Sequence, residues 1–93
     1  MEKINIDNFE FEGYAISTAS AKILLIKGSC GFLGCGYFSI ETADRLNEVV
    51  AIVTGVKNFD DMLNVEVKQV STAAAAAGIT VGMTGRDALK FMR

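Results

Sequence analysis

Cys30 and Cys35 are the strongest nucleophiles among the side chains of this 93-residue sequence. Cys35 lies between Gly34 and Gly36, where little side-chain bulk shields its thiol. Because cysteine needs less activation than serine to act as a nucleophile, Cys35 is the candidate catalytic residue of a cysteine-dependent enzyme or a redox-sensing protein. Free cysteine is also commonly a small buried hydrophobe, and the sequence leaves both interpretations of Cys35 open.

A reactive thiolate needs a nearby cation or a helix N-terminus to stabilise its charge. The chain contains no histidine, which excludes Ser-His and Cys-His activation and imidazole metal ligation. The cations that folding could bring to Cys35 are Lys22, Lys27, Lys57 and Arg86. We expect Lys57 or Arg86 to be its charge partner.

A second candidate site lies at residues 82–86, where a glycine-flanked loop meets a predicted helix start. The free N–H groups of such a start, with the Arg86 guanidinium, could bind a phosphate or carboxylate. The predicted ligand-binding residues here are Thr84, Gly85 and Arg86. Thr84 and Asp87 also form a capping-box pattern, which satisfies the same donors without any ligand.

Lys57 follows a predicted buried strand, where it could bind a ligand at the rim of a cleft or simply be solvated. The neighbouring Asp60 and Asp61 would not face each other on a helix, and we predict no metal site. Residues 28–36 superficially match a glycine-rich dinucleotide loop, but their glycines lie in a predicted turn and strand and do not open a helix, so we predict no cofactor. The identity of any small-molecule ligand remains unknown.

The composition, 51% hydrophobic with a net charge of −2, predicts one small domain spanning residues 1–93, with some apolar surface that meets another subunit. A slightly acidic chain without a basic cluster is not expected to bind nucleic acid or an anionic membrane. The longest uncharged stretch, Gln69–Gly85, has too few large apolar residues to span a membrane. With no signal-peptide pattern and two free thiols, we expect a cytoplasmic protein.

Residues 1–38 alternate apolar and polar side chains in short segments separated by turns, which predicts an antiparallel β-meander of about four strands. Asp7 and Asn8 are typical of a two-residue hairpin turn. The apolar positions change parity after Gly13, which predicts a β-bulge at that glycine. The fourth strand is predicted over residues 32–38.

Residues 39–93 show helical spacing instead and predict a helix-strand-helix-helix region. Capping residues indicate three helix starts, at Ser39, Asn58 and Thr84.

The continuous apolar run at residues 49–53 predicts a further buried strand. Apolar spacing over Val65–Ala77 predicts a helix that Gly78 ends in the left-handed conformation. Together with the meander, this pattern predicts an α+β domain whose helices pack on the sheet.

Several motifs occur in an order that is similar to one family: Gly31–Gly36, Thr54–Lys57, Gly78–Ile79 and Gly82–Leu89. The chain thereby resembles the YunC-like family, a domain of unknown function (DUF1805) in bacteria and archaea. The resemblance implies an α+β fold whose N-terminal β region mediates tetramerisation, with no established activity, substrate or cofactor. We therefore expect an uncharacterised homotetramer that buries Phe9, Phe11 and Tyr14 between subunits.

Overall fold

A six-stranded mixed sheet carries helices on both faces in the computed structural model, which describes all 93 residues. The strands are β1 (Glu2–Ile6), β2 (Phe9–Ser17), β3 (Lys22–Lys27), β4 (Phe32–Gly34), β5 (Val50–Ile52) and β6 (Gln69–Val70). The helices are α1 (Ile40–Arg45), α2 (Phe59–Asn64), α3 (Thr72–Ala77) and α4 (Gly85–Leu89), followed by a 3-10 turn at Lys90–Met92. This architecture confirms the predicted α+β fold with an N-terminal meander. None of the helices is both long enough and apolar enough to cross a membrane.

The strands lie in the sheet in chain order, and the first four pair antiparallel. The predicted hairpin turn is confirmed, because Asp7 and Asn8 both adopt positive φ, at 50° and 66°. These backbone angles match the twist of the flanking strands and fix the register of β1 against β2.

The bulge predicted at Gly13 is wrong. Gly13 pairs with Glu2 on one side and Ile26 on the other without a skipped residue. It continues the buried face of β2, where a Cβ would lie 2.8 Å from Ile4 Cδ1 and 2.9 Å from Phe59 Cζ. The glycine therefore provides space for these side chains rather than a change of face.

β4 ends earlier than predicted, at Gly34, and it pairs parallel with β5. The connection between these two strands contains α1, so β4, α1 and β5 form a crossover unit within an otherwise antiparallel sheet. The wholly buried β5 confirms the predicted apolar strand.

The helix predicted over Val65–Ala77 is wrong in its first half. Gln69–Val70 forms the edge strand β6, and the helix begins only at Thr72, because the Ser71 side chain accepts the N–H of Ala74 as an N-cap. The left-handed Gly78 that ends α3 is confirmed, with φ of 108°. The three predicted capping residues are confirmed as well, each accepting a backbone N–H three residues on: Ser39, Asn58 and Thr84.

The two faces of the sheet are covered unequally. On the core face, α2, α3 and α4 contribute Met62, Ala74 and Leu89 to one large apolar cluster. On the outer face, α1 covers only the β4–β5 side, through contacts such as Ala43 with Ile52. The outer face of β2 and β3 therefore has no helix over it.

Phe11 lies on the core face and is fully buried within its own chain. Phe9 packs against the same cluster, with its ring centroid 4.8 Å from that of Phe11. The expectation that these two side chains are buried between subunits is wrong for Phe11, because its own core already encloses it. Tyr14 lies on the outer face and is 36% exposed.

Candidate functional site

The carboxyl ends of the parallel strands β4 and β5 open onto a cleft. Ligands in open α/β sheets bind at this end of parallel strands. The turn after β4 carries Cys35 and Gly36, and the loop after β5 carries Gly55 and Lys57. Because β3 runs antiparallel to β4, the β2–β3 turn and Lys22 reach the same edge.

Two adjoining cavities form this cleft. The smaller has a volume of about 270 Å³ and is lined by Ala21, Lys22, Cys35, Gly36, Tyr37, Gly55 and Val56. The larger has a volume of about 730 Å³ and is lined by Ser17, Thr18, Ser20, Ala21, Lys22, Gly55, Val56 and Lys57. Because four residues are common to both cavities, we treat them as one site, the Cys35 cleft.

Cys35 is 5% exposed and is held by three hydrogen bonds. Its N–H donates to Leu24 O at 3.1 Å, and its Sγ accepts the N–H of Leu24 at 3.3 Å. Its carbonyl accepts the N–H of Phe38 at 3.2 Å, because the chain turns away after β4. The sulfur thus occupies the acceptor position that a carbonyl would fill if the ladder continued. Cys35 is also one of the residues that line the smaller cavity.

Of the four cations considered as partners of Cys35, the fold places two at the Cys35 cleft and two elsewhere. Lys22 lines the cavity that contains Cys35, and Lys57 lines the adjoining cavity. Lys27 lies at the opposite end of β3, and Arg86 lies on α4 and lines neither cavity. Of the two expected charge partners of Cys35, Lys57 lines only the adjoining cavity and Arg86 lies outside the cleft, whereas Lys22 shares the smaller cavity with Cys35.

Neither Lys22 nor Lys57 forms an ion pair, since the ion pairs of the chain all involve other residues. The main-chain N–H of Lys57 donates to Asp61 Oδ2 at 3.0 Å, which fixes the loop while leaving the ammonium group free. Lys22 and Lys57 are thus the charged residues that line the cleft, and the Asp61 carboxylate lies beside it on the main chain of Lys57.

The hydroxyl groups of the β2–β3 turn are functional candidates that sequence analysis missed. Thr18 Oγ1 accepts the N–H of Ala21 at 2.9 Å and tightens the turn. Ser17 and Ser20 line the larger cavity. The sequence indicates only a polar turn here, and the register of β3 against β4 is what brings it beside Cys35.

The Thr84 helix start has little donor capacity left for an anion. Thr84 Oγ1 accepts the N–H of Asp87 at 3.2 Å, as the capping pattern predicts. The N–H of Gly85 donates to Val65 O at 3.0 Å, and Gly85 itself is buried. The Arg86 side chain is exposed.

Cys30 lies on the surface, away from the Cys35 cleft. Its Sγ lies 3.3 Å from Arg93 O and 3.7 Å from Phe91 O, and its N–H donates to Met92 O at 3.2 Å. Cys30 therefore attaches the C-terminal turn to the β3–β4 turn. No group of three or more potential metal-ligating side chains is clustered anywhere in the chain.

Comparison with known proteins gives three consistent matches. A family model described as a domain of unknown function (DUF1805) matches residues 34–92. The uncharacterized protein YunC of Bacillus subtilis (strain 168) is 28% identical over 93 residues, covering 96% of this chain and 92% of that protein. The crystal structure of a protein of unknown function, TA1206 from Thermoplasma acidophilum, superposes with a TM-score of 0.95 at 32% identity, covering 99% of this chain and 90% of that one.

Proposed function

The chain belongs to the DUF1805 family of domains of unknown function, and we propose that it is a homo-oligomer, a tetramer, assembled through its N-terminal β region, residues 1–38. We further propose that it works in the cytoplasm, where its two free thiols remain reduced. The assembly proposal is supported by the uncovered outer face of β2 and β3.

An apolar patch on that outer face carries the proposal. Ile16 is 61% exposed and Tyr14 is 36% exposed, although both lie within a regular strand. Their cross-strand neighbours, Ile23 and Leu25, are half-buried and extend the same face. Contiguous apolar surface of this kind on a small domain marks an interaction site. We call these four residues the outer patch.

Charged residues flank the outer patch and make it suitable for a second copy of the same chain. Glu12 lies between Lys3 and Lys27 on neighbouring strands of the same face. In a two-fold interface each patch meets its own copy, so Glu12 of one subunit can pair with a lysine of the other. The hydroxyl of Tyr14 donates to Glu12 Oε1 at 2.7 Å, which raises the pKa of Tyr14 above its ordinary value and keeps the ring neutral.

A second surface within residues 1–38 can extend such a dimer to a tetramer. β1 pairs only with β2, so its other edge presents unpaired backbone N–H and C=O groups. Proteins cover exposed strand edges because they invite association. A closed tetramer that uses the outer patch for one contact and the β1 edge for the other buries both surfaces.

Size-exclusion chromatography with light scattering at micromolar concentration tests this assembly. We expect a mass four times that of the 10.0 kDa chain. Ile16→Glu places a charge in the outer patch and should lower the mass. Val81→Glu is the matched control, because Val81 is 60% exposed in the loop before α4, and it should leave the mass unchanged. A monodisperse wild-type monomer would overturn the proposal.

Thiol chemistry at Cys35 is a second candidate function, either as an enzyme nucleophile or as a redox sensor. It is favoured by one observation, that Cys35 and Lys22 line the same cavity. The rate of alkylation by iodoacetamide, measured against pH in a Cys30→Ser background, tests it. Faster alkylation of the folded protein than of a model thiol near neutral pH supports the proposal. Alkylation of Cys35 only after unfolding would rule it out.

A further inference from the structure

We infer that the Cys35 cleft binds a small oxyanion, a phosphate or carboxylate group carried by a small molecule, between Lys22 and Lys57. This inference concerns the core-face edge of the sheet, whereas the proposed assembly uses the outer face. Lys22 alternates with Ile23 along β3, so their side chains project to opposite faces. The two proposals can therefore succeed or fail separately.

The two lysines supply the first argument. Both lysines line the larger cavity, and neither ammonium group has a carboxylate within ion-pair distance. No Asp or Glu side chain lines either cavity. Two like charges that share one concave site repel each other, and a bound anion converts this repulsion into attraction.

The main chain of the cleft supplies the second argument. The N–H groups of Gly36 and Gly55 form no hydrogen bond within the chain. Gly55 has φ of 70°, and nothing lies within 4 Å of the position where its Cβ would be. A ligand can therefore approach this backbone closely, as oxyanions approach the unpaired N–H groups of turns in other anion sites.

The hydroxyls complete a set of hydrogen-bond donors around the cavity. The side chains of Ser17 and Ser20 have no hydrogen-bond partner in the protein, in contrast to that of Thr18. Together with the lysines and the free N–H of Gly55, they add hydrogen-bond donors to the lining of the larger cavity. Donor groups and lysines in a lining without acidic side chains favour an oxyanion over a cation.

Cys35 limits where the rest of the ligand can lie. Cys35 lines the smaller cavity, which shares Lys22 and Gly55 with the larger one. An oxyanion held by the lysines would leave the attached carbon skeleton beside the thiol. The volumes of about 270 and 730 Å³ suit a small metabolite.

A titration followed by ¹⁵N-¹H correlation spectra tests the inference. Inorganic phosphate and succinate are the two probes, each compared with sodium chloride at matched ionic strength. We expect saturable shifts of the Gly36 and Gly55 amide signals at millimolar probe concentrations. Saturation by phosphate alone or by succinate alone identifies which oxyanion the cleft accepts, and both results support the inference.

Charge variants locate the site. Lys22→Gln and Lys57→Gln should each weaken binding by about two- to fivefold, the range expected for an exposed ion pair. Arg86→Gln is the control, since it removes a positive charge from α4, outside both the cleft and the outer patch, and should leave binding unchanged. Lys22→Arg should retain binding, because it keeps the positive charge.

Three results would overturn the inference: no saturable shift with either probe, shifts that centre outside the cleft, or equal weakening in all three glutamine variants. The mass of each sample, measured by light scattering, separates this outcome from a failure of the assembly. The Ile16→Glu variant keeps the whole cleft and should bind the probes as the wild type does.

Discussion

Replacing Cys35 by alanine should destabilise the fold through a single hydrogen bond and a small cavity. The Cys35 sulfur accepts the N–H of Leu24 at 3.3 Å in a region where Leu24 is almost completely buried. Alanine leaves that donor without a partner, which costs about 1 kcal/mol, the lower end of the range, because sulfur is a weak acceptor. The space left by the sulfur adds about 1 kcal/mol.

The expected loss for Cys35→Ala is therefore about 2 kcal/mol of unfolding free energy, or a Tm lower by roughly 8–16 °C for a domain of this size. Urea unfolding at one fixed protein concentration measures it, since association would otherwise shift the midpoint. Cys35→Ser should lose less, because its oxygen can still accept the Leu24 N–H. Cys30→Ala removes only weak, exposed thiol contacts and keeps the main-chain hydrogen bond to Met92 O, so it should change stability by less than about 0.5 kcal/mol. A Cys35→Ala variant as stable as the Cys30 control would refute the proposed role of the sulfur.

Three further perturbations follow from the packing. Gly85→Ala should destabilise the protein by more than about 3 kcal/mol, because its Cβ would lie 2.0 Å from Met62 O; differential scanning calorimetry should show no native-like transition near that of the wild type. Ser71→Ala should cost about 2–4 kcal/mol in urea unfolding, because the buried Ser71 hydroxyl accepts two N–H groups and donates to a carbonyl. Hydrogen bonding, chiefly to Asp87, raises the pKa of Lys90 above its ordinary value of 10.5. The protonated Lys90 therefore contributes its full stabilisation below pH 10.5, and this contribution is lost as pH rises through the higher folded-state pKa. Lys90→Gln should flatten this alkaline decline in Tm measured across a pH series.

Signals that act over three or four residues predicted the local structure correctly. Ser39, Asn58 and Thr84 begin helices because each side chain accepts a backbone N–H within its own first turn. Asp7 and Asn8 form the hairpin turn because they tolerate positive φ. Each of these features depends on neighbouring residues alone, so the sequence contains all the information that it requires.

The errors arose where distant residues decide the local conformation. At Gly13, the change in apolar parity indicated a bulge, but the glycine is needed for space beside Ile4 and Phe59. Residues 65–70 have helical spacing, but Gln69 and Val70 pair with the edge of β5 and form a strand instead. A residue pattern does not record which distant element will pack against it.

The sequence predicted the nucleophile of the candidate site but not the charged residues that surround it. Cys35 is recognisable from its residue type and its flanking glycines. Lys22 lies thirteen positions earlier in the chain and reaches the Cys35 cleft only because β3 and β4 pair in one particular register. Arg86 is just as basic, but α4 places it outside the cleft.

The strongest sequence motif of the chain, Gly82–Leu89, has a packing explanation at the positions that define it. Gly82 adopts φ of 101°, which favours glycine, and Gly85 allows α4 to approach the carbonyl of Met62. Ala88 and Leu89 are fully buried. A match to this motif at these four positions is therefore evidence of the fold and requires no ligand.

The polar residues of the Cys35 cleft, in contrast, have no such packing explanation. Neither lysine of the cleft forms an ion pair, and the hydroxyls of Ser17 and Ser20 have no partner in the protein. The stability of the fold does not require two unpaired ammonium groups in one cavity, because exposed charges contribute little to it. Ligand specificity in this chain should therefore be sought at the β2–β3 turn and the loop after β5, and chains that share the Gly82–Leu89 motif but differ at these loops should share the fold without sharing the ligand.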